Sequence, residues 1–181
     1  MRIIQGEHKG KQLRAPKNLP VRPTTDAAKE ALFNILNNHY YFDEISILDL
    51  FSGTGNISYE FAARGAVSVT AVDQNIQCIK FIRKTSESLD FHIDIFKDDC
   101  LQFAKRAYNK WDIVFADPPY DYDKYPELIE TILTKELVKE GGMLIIEHDN
   151  QRSFQDHPNF TEMRKYGKVH FSFFDRSPAT E

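Results

Sequence analysis

The chain has few cysteines, no long apolar run and no histidine pattern, and these absences exclude several classes of protein. Its two cysteines, Cys78 and Cys100, are too few for a disulfide framework and lack the spacing of a metal site. No apolar stretch approaches the roughly 18 residues that cross a membrane, and the N-terminus has no signal-peptide core. The six histidines are scattered, so we expect no bound metal. The sequence therefore predicts a cytoplasmic protein without membrane association.

Length and composition predict a single globular domain. A chain of 181 residues can bury one large core, and 41% hydrophobic with 28% charged residues is an ordinary balance for such a domain. Charge is distributed unevenly. The total is −4, but residues 1–25 contain six cationic side chains against one acid, so this segment is +5 and the remainder −9. A local basic patch favours phosphate binding, and the alternative is a solvated basic tail without a partner.

The basic segment is predicted to form a hairpin that precedes a helix. Residues 2–15 contain two short apolar stretches around a glycine-bounded turn, and a proline loop follows at 16–23. A helix begins next, because Thr24, Thr25 and Asp26 are good capping residues. The apolar face of that helix is predicted to consist of Ala28, Ala31, Leu32, Ile35 and Leu36.

The rest of the chain is organised around a strand, a glycine turn and a helix. Residues 45–51 form an apolar run typical of a parallel strand buried on both faces. The turn 52–55 follows, and its glycines allow positive φ and close approach of a ligand to the backbone. A helix at 56–64 and a second strand at 68–73 complete half of a nucleotide-binding unit. That strand ends in Asp73, at about the separation of 20 residues typical of a ribose-binding acid.

Asp49 indicates which ligand the turn binds. The turn has two glycines where a pyrophosphate-binding turn has three, and a phosphate would gain nothing from a carboxylate beside it. A cationic ligand fits better, and S-adenosylmethionine carries an ammonium group and a sulfonium. The alternative is a glycine-rich turn of another α/β protein in which Asp49 caps local amides. Asp99, after the third strand, is placed to meet an adenine amino group, or equally to cap the following helix. The candidate cofactor-binding residues are Asp49, Phe51, Gly53, Gly55, Asp73, Gln74, Asp99 and Cys100.

Strands and helices alternate from residue 45 onwards, which predicts a parallel sheet with helices on both faces. The predicted strands are 45–51, 68–73, 92–97, 111–116 and 142–147, and the predicted helices are 56–64, 75–89, 100–107 and 125–138. The end of the chain differs. Residues 161–166 and 168–174, on either side of Gly167, predict a hairpin that places an antiparallel strand at the edge of the sheet or inserts one into it.

A second motif, Asp117-Pro118-Pro119-Tyr120, follows the strand 111–116 at the edge where open α/β sheets bind ligands. The prolines fix the backbone and remove amide hydrogens, so nearby carbonyls are held as acceptors. Asp117 and the Pro118 carbonyl can orient an exocyclic amine, and Tyr120 can stack on its ring. This motif predicts methyl transfer to the amine of a planar base, with Asp117 receiving the proton late. The alternative is a rigid turn around a buried aromatic ring.

Taken together, the motifs resemble the RsmD family of bacterial rRNA (guanine-N2)-methyltransferases over nearly the whole chain. The resemblance is carried by Arg2-Ile3-Ile4 with Gly6 and Gly10, Arg22-Pro23-Thr24-Thr25-Asp26 leading to Leu32-Phe33-Asn34, Asp49 to Gly55, Arg64-Gly65-Ala66, and Asp117 to Tyr120. The cofactor and Asp-Pro-Pro-Tyr motifs alone are shared by many amino-methyltransferases, and the N-terminal segment makes the assignment specific. The helix after the turn has Ser58 and Phe61 where the family usually has glycine and alanine.

The resemblance implies a Rossmann-like class I methyltransferase domain over residues 1–181. A basic hairpin arm at 1–23 would precede a core at 24–181, whose seven-stranded, mostly parallel sheet ends in an antiparallel strand. S-adenosylmethionine would be the cofactor. Small-subunit (16S) ribosomal RNA or a ribosomal particle would be the partner of a monomeric enzyme. The implied catalytic residues are Asp117, Pro118, Pro119 and Tyr120, and Arg22 and Thr24 would lie at the mouth of the site. With the cations of the basic segment, the predicted RNA-binding residues are Arg2, Lys9, Lys11, Arg14, Arg22 and Thr24.

Three other functions are compatible with parts of the sequence. A DNA adenine-N6 methyltransferase shares the chemistry, but this chain has no obvious large target-recognition domain. A protein glutamine methyltransferase usually has asparagine where Asp117 stands. A non-catalytic RNA-binding assembly factor on the same fold would have lost the cofactor residues, and here they are intact.

Overall fold

Seven strands form one mixed sheet at the centre of the molecule, in a computed structural model that describes residues 1–22 and 24–176. The strands are β1 (Ser46–Leu50), β2 (Ser68–Asp73), β3 (Ile93–Lys97), β4 (Trp111–Ala116), β5 (Val138–His148), β6 (Phe160–Tyr166) and β7 (Val169–Asp175). Their order is β3-β2-β1-β4-β5-β7-β6. The first five are mutually parallel, and β7 lies between β5 and β6, antiparallel to both. Pro23, which ends the predicted proline loop and basic arm, and residues 177–181 of the predicted core lie outside the described residues.

Helices cover both faces of the sheet, so the predicted fold class is confirmed. The helices are α1 (Asp26–Asn37), α2 (Asn56–Ala63), α3 (Ile76–Leu89), α4 (Cys100–Arg106) and α5 (Tyr125–Thr134), with a short 3₁₀ turn at Phe42–Glu44. On one face α1, α2 and α3 pack, and on the other α4 and α5. β1 is buried between the two helical layers. Ile47 packs in the core on the side of α1 and α2, and Leu48 and Leu50 pack in the core on the side of α4 and α5. None of the helices in the described ranges is long and apolar enough to cross a membrane.

The boundary between α5 and β5 differs from the prediction. The helix ends at Thr134 instead of residue 138, and β5 begins at Val138 instead of residue 142. Glu136 has a φ of 54°, which is incompatible with a continuing helix. Gly141 and Gly142 do not precede this strand. They lie inside β5, where the pairing with β4 shifts register, and a Cβ at Gly142 would lie 2.3 Å from the Asp112 carbonyl oxygen.

The first helix is capped as predicted, but its buried face is not the predicted one. Thr25 is the N-cap, and its hydroxyl accepts a hydrogen bond from the Ala28 amide at 3.2 Å. The buried residues are Ala28, Lys29, Leu32, Phe33 and Leu36, whereas Ala31 and Ile35 are only partly buried. The periodicity missed Lys29 because its burial depends on a partner in another helix.

That partner is Glu60 of α2, and the pair fixes the N-terminal segment to the core. Lys29 Nζ lies 3.0 Å from the Glu60 carboxylate, and both side chains are fully buried. Arg64 donates to the same carboxylate at 2.9 Å, and the backbone amides of Ile4 and Gln5 donate at 2.8 and 3.0 Å. A buried carboxylate with this many donors is satisfied, so the network connects α1, α2 and the first residues of the chain.

The basic hairpin is consequently packed against the domain. Its predicted strands reduce to a single antiparallel bridge between Arg2 and Gln12. Ile3 and Leu13 are buried in a small core that includes Tyr59 of α2 and Ile82 of α3. The exposed cationic side chains of this segment are therefore carried by a hairpin that is packed against the core.

Gly6 is the position where this docking is tightest, and it allows a test with a matched control. Gly6 and Gly10 have similar φ values of 82° and 85°, but an added Cβ would lie 2.0 Å from the Ala63 carbonyl oxygen at Gly6 and within 4 Å of nothing at Gly10. Both alanine substitutions carry the strain of positive φ. We expect Gly6→Ala to lower the free energy of unfolding by about 1–3 kcal/mol more than Gly10→Ala, as measured by urea denaturation. Equal losses would show that the contact with α2 does not stabilise the hairpin.

Candidate active site

The carboxyl ends of β1, β2, β4 and β5 meet at one edge of the sheet and place the glycine turn and four acids there. The turn begins with Phe51, which has a φ of 57° in spite of its side chain. At Gly55 the φ is 90°, and a Cβ would lie 2.7 Å from the Tyr59 ring, so glycine is required there. The Ser52 amide donates to the Val72 carbonyl at 3.1 Å. These contacts fix the turn against the end of β2.

Asp73 connects β2 to this turn. Its carboxylate accepts hydrogen bonds from the Gly53 amide at 2.9 Å and from the Asn75 amide at 2.8 Å. Burial raises the pKa of Asp73, and the amides of Asn75, Gly53 and Gln74 oppose that shift. The predicted pair of turn and acid is therefore brought together in space.

Asp49 lies at the bottom of the site, near the end of β1, and is 1% exposed. Its carboxylate accepts a hydrogen bond from the Ser58 hydroxyl at 2.6 Å. Burial raises the pKa of Asp49 from 3.8 to about 7, Ser58 opposes the shift, and the charges of Asp73 and Glu147 add to it. A carboxyl group with this pKa would be stabilised in its ionised form by a bound cation.

The two residues of α2 that differ from the family pattern both have defined contacts. Ser58 is the donor to Asp49, and Phe61 is fully buried. The Phe61 ring packs against Phe33 and Phe42, with ring centroids 4.6 and 6.1 Å apart. A larger aromatic cluster thus occupies the space between α1, α2 and the 3₁₀ turn.

Asp99 and Cys100 support the site from the third strand. Asp99 is the N-cap of α4, and its side chain accepts a hydrogen bond from the Gln102 amide at 2.9 Å, as the capping interpretation predicted. The Cys100 thiol is buried and accepts a hydrogen bond from the Phe51 amide at 3.1 Å. Burial raises the pKa of this thiol well above its ordinary value, so Cys100 is a packing residue under the turn.

The Asp-Pro-Pro-Tyr segment follows β4 and lies next to the glycine turn. Residues from β1 and from the loop after β5 hold its backbone in place. The Asp117 amide donates to the Leu50 carbonyl at 3.3 Å, which aligns the two strand ends. Arg152 donates to the Tyr120 and Tyr122 carbonyls at 3.2 and 2.7 Å. The Tyr125 hydroxyl lies 3.5 Å from the Pro118 carbonyl oxygen, which leaves that acceptor only weakly engaged.

Glu147 is a further acid of the site that the sequence motifs did not identify. It is the penultimate residue of β5. Because Ala116 pairs with Ile146, Asp117 and Glu147 are the next residues on the two adjacent strands. Burial raises the pKa of Glu147 from 4.5 to about 7, although Thr24 and Arg22 oppose the shift. Burial also raises the pKa of Asp117 well above its ordinary value, and Glu147 and then Asp49 raise it further. The sequence signal for Glu147 was an acid near the end of an apolar strand. The residues beside it are determined by the order of the strands in the sheet, which the motifs do not give.

Thr24 and Arg22 reach the site from the N-terminal segment. The Thr24 hydroxyl donates to Glu147 at 2.8 Å, and Asn56 donates to the Thr24 carbonyl at 3.1 Å. The Arg22 guanidinium lies over the Tyr120 ring, 3.7 Å from its centroid, a cation–π contact. The structure therefore brings both residues next to the acids, with Thr24 buried against Glu147 and Arg22 over Tyr120.

The other predicted RNA-binding residues do not converge on the acids. Arg2 forms an ion pair with Asp26 at 3.6 Å, and the side chains of Lys9, Lys11 and Arg14 are exposed. The hairpin tip docks at the far end of α2, since the Glu7 amide donates to the Ala63 carbonyl at 2.7 Å. That end is about 10 Å along the helix from the glycine turn. Within the described ranges, no cluster of His, Cys, Asp and Glu suits a metal ion.

Comparison with known proteins places this geometry in a family. The family model described as "Conserved hypothetical protein 95" matches residues 1–175. The chain is 32% identical over 156 residues to "Putative rRNA methyltransferase YlbH" of Bacillus subtilis, which covers 83% of this chain and 84% of the relative. It is 30% identical over 166 residues to "Ribosomal RNA small subunit methyltransferase D" of Buchnera aphidicola, which covers 90% of this chain and 85% of the relative.

Solved structures share the fold at lower identity. The structure of "Putative methyltransferase yhhF from Escherichia coli" superposes with a TM-score of 0.86 and 23% identity, over 99% of each chain. The Thermus thermophilus 16S rRNA N2 G1207 methyltransferase (RsmC), in complex with AdoMet and guanosine, gives a TM-score of 0.71 at 16% identity, over 87% of this chain and 45% of that one. The fold is therefore the Rossmann-like methyltransferase fold.

Proposed function

Since this chain belongs to the RsmD family of S-adenosylmethionine-dependent methyltransferases, we propose that it methylates the exocyclic N2 amine of a guanine in small-subunit (16S) ribosomal RNA. The observation that carries the proposal is the meeting of Asp117 and Glu147 beside the glycine turn. Both are acids with raised pKa values at the edge of the sheet where ligands bind. An arrangement of this kind can hold an amine and receive its proton near neutral pH.

The residues around the turn fit S-adenosylmethionine, which supplies an electrophilic methyl group carried on a sulfonium. Asp49 is buried with one hydroxyl donor and a raised pKa, so it would hold the ammonium end of the cofactor as an ion pair. Asp73 would hold the ribose. The remaining candidates would surround these groups: Phe51, Gly53 and Gly55 in the turn, Gln74 after Asp73, and Asp99 and Cys100 at the adenine end.

The acceptor base would be positioned by the Asp-Pro-Pro-Tyr segment. Asp117 and the Pro118 carbonyl would accept hydrogen bonds from the exocyclic amine and so direct its nitrogen toward the methyl group. Tyr120 would stack on the base, with Arg22 covering one face of the same ring. Because the nitrogen lone pair is delocalised, the proton leaves late, and Asp117 receives it. Glu147, whose carboxylate accepts a hydrogen bond from the Thr24 hydroxyl, would carry the remaining negative charge once Asp117 is protonated.

The exposed hairpin cations, Lys9, Lys11 and Arg14, would bind the phosphate backbone at a distance from the target base. Replacing all three with alanine should reduce the dependence of RNA affinity on salt, by about 0.7 in the slope for each lost phosphate contact of a single strand. Fluorescence anisotropy over a salt series measures this slope. A slope equal to that of the unmodified protein would return the segment to a solvated surface without a partner.

Methylation assays with two forms of the substrate test the function. Naked 16S rRNA and small-subunit particles, both from cells lacking this gene, are incubated with the protein and labelled S-adenosylmethionine, and nucleosides are identified by mass spectrometry. We expect N2-methylguanosine in one or both substrates. A label on adenine N6, a ring carbon or a ribose oxygen would contradict the acceptor. Cofactor binding without transfer to either substrate would favour a non-catalytic assembly factor.

A further inference from the structure

A cavity of about 360 Å³ adjoins the Asp-Pro-Pro-Tyr segment and is not used by the mechanism above. Arg22 and Tyr120 form its side toward the active site. Its other lining residues come from the loop after β5 and from the end of β6, the following turn and the start of β7: Asp149, Asn150, Lys165, Gly167, Lys168 and His170. The turn reaches this edge because β6 runs parallel to β5 on the far side of β7. The cavity is therefore continuous with the place where the target base would lie.

The charge of the cavity favours an anion. Arg22, Lys165 and Lys168 line it against one carboxylate, Asp149. Among residues 1–22 and 24–176, neither lysine forms an ion pair. Two unpaired lysines beside an arginine are typical of a site that takes a phosphate.

His170 gives independent evidence that the cavity takes a ligand with polar groups. It is 6% exposed, and its Nδ1 has no hydrogen-bond partner. The His170 ring stacks on His148 at 5.5 Å, with an angle of 21° between the rings. His148 is itself fixed, because its Nε2 bonds to the Ser172 hydroxyl at 2.7 Å. A buried ring nitrogen without a partner is uncommon. This nitrogen has almost no accessible surface in the free protein, so the edge of a base would reach it after the ring or the adjoining turn shifts on binding.

Size and composition together define the occupant. A volume of about 360 Å³ is at the lower end of ligand sites and suits one nucleotide. We infer that the cavity holds the RNA nucleotide adjacent to the target guanine, with its phosphate on Lys165 and Lys168 and its base edge on His170. This inference rests on the proposed function, because the neighbouring nucleotide has a place only if Tyr120 receives an RNA base. It adds a second nucleotide subsite to the acceptor site and so a source of sequence preference.

Binding of single-stranded RNA to three variants tests the subsite. The first is the double variant Lys165→Ala/Lys168→Ala. Its matched control is Lys80→Ala/Lys84→Ala, which removes two exposed lysines without ion pairs from α3, at the opposite end of the sheet. The third is His170→Phe, which keeps a ring against His148 and removes Nδ1. The probe is a fluorescent single-stranded segment of 16S rRNA, measured by anisotropy over a salt series.

We expect the Lys165/Lys168 variant to bind roughly tenfold more weakly than the Lys80/Lys84 control, the size of one lost charge-assisted contact. Its salt slope should fall by about 0.7 for one phosphate. His170→Phe should lose a similar factor with little change of slope, because it removes a hydrogen bond to the base and no contact with a phosphate. Affinity and slope equal to those of the control in the lysine variant, or unchanged affinity in His170→Phe, would overturn the nucleotide assignment.

Methylation of 16S rRNA by the same proteins separates failure of this inference from failure of the proposed function. If the unmodified protein forms N2-methylguanosine while the lysine and His170 variants keep its KM for RNA, the subsite is wrong and the function stands. If the unmodified protein transfers no methyl group to RNA, the proposed function fails. In that case a weakened affinity of both variants still supports a nucleotide in the cavity, and unchanged affinities overturn it.

Discussion

Replacing Asp117 with alanine is expected to lower methyl transfer to RNA by about 10²–10⁴-fold, the contribution typical of a positioned acid–base group. Asp117 is the acid of the Asp-Pro-Pro-Tyr segment, and its pKa is raised well above the ordinary value by burial, then by Glu147 and Asp49. It is therefore able to take up a proton that leaves an amine. Without it, the amine loses both its orientation and its proton acceptor. Single-turnover transfer to 16S rRNA measures the effect.

Cofactor affinity should change little in the same variant. Asp117 follows β4, whereas the contacts that shape the cofactor turn come from Asp73, Cys100 and the end of β2. Affinity for S-adenosylmethionine should change far less than transfer does, because Asp117 is connected to the cofactor acids only through its charge interaction with Asp49. Asp121→Ala is the matched control, because it removes an exposed acid from the same loop and should leave transfer intact. Full transfer by Asp117→Ala, or an equal loss in Asp121→Ala, would remove Asp117 from the mechanism.

The parts of the site that the sequence predicted are those built from residues close together in the chain. Strand, turn, helix and second strand occupy residues 45–73, so the turn and Asp73 meet through local structure. The Gly53 amide on the Asp73 carboxylate is the contact that such a unit implies. Gly55 could be assigned for the same reason, since its positive φ and its closeness to Tyr59 arise within five residues.

The parts that the sequence did not predict depend on which elements become neighbours in space. Glu147 lies near the end of an apolar strand, and the adjacency of β4 and β5 places it beside Asp117. Thr24 was assigned to the mouth of the site, but its bond to Glu147 joins residues 123 positions apart. The apolar periodicity of α1 likewise could not predict the burial of Lys29, because the ammonium group of Lys29 is paired with Glu60 in another helix.

The basic segment shows how composition can locate a charge without locating its function. Six cations in 25 residues predicted a phosphate-binding arm, and the segment does carry exposed cations. Ile3 and Leu13 fix the hairpin to α2 and α3, so Lys9 and Lys11 lie away from the acids, whereas Arg22 contacts the Tyr120 ring. The lysines that line the cavity beside Tyr120, Lys165 and Lys168, come instead from the end of β6 and the turn after it.

The affinity for S-adenosylmethionine is expected to rise with pH through about 7, because Asp49 must be ionised to hold the ammonium end. Its pKa in the free protein is raised to about 7, chiefly by burial. Below that value binding must expel a proton, so affinity should fall by up to about tenfold for each pH unit. Asp49→Asn should remove this dependence and weaken binding at least roughly 30-fold at high pH, the cost of losing one partner of a buried charge pair.

Titration calorimetry at pH values on either side of 7 measures both effects, and Glu147→Gln is the control. Glu147 also has a pKa raised to about 7, but it contacts Thr24 and not the cofactor turn. Its variant should keep the pH dependence of cofactor affinity, with a midpoint moved to lower pH because Glu147 makes a small contribution to the raised pKa of Asp49. Affinity that is independent of pH in the unmodified protein, or a dependence that persists in Asp49→Asn, would show that Asp49 does not hold the cation.

The same ionisation should appear in the stability of the protein without cofactor. Asp49 titrates near 3.8 in the unfolded chain and at about 7 in the folded protein, so between these values the folded state binds more protons. The free energy of unfolding must then fall as pH rises through this window, by up to about 1.4 kcal/mol per pH unit from this group. Asp49→Asn should flatten the fall in urea denaturation. If the free energy of unfolding falls with pH equally steeply in the variant, Asp49 is already ionised in the free protein, and binding of the cofactor does not change its protonation.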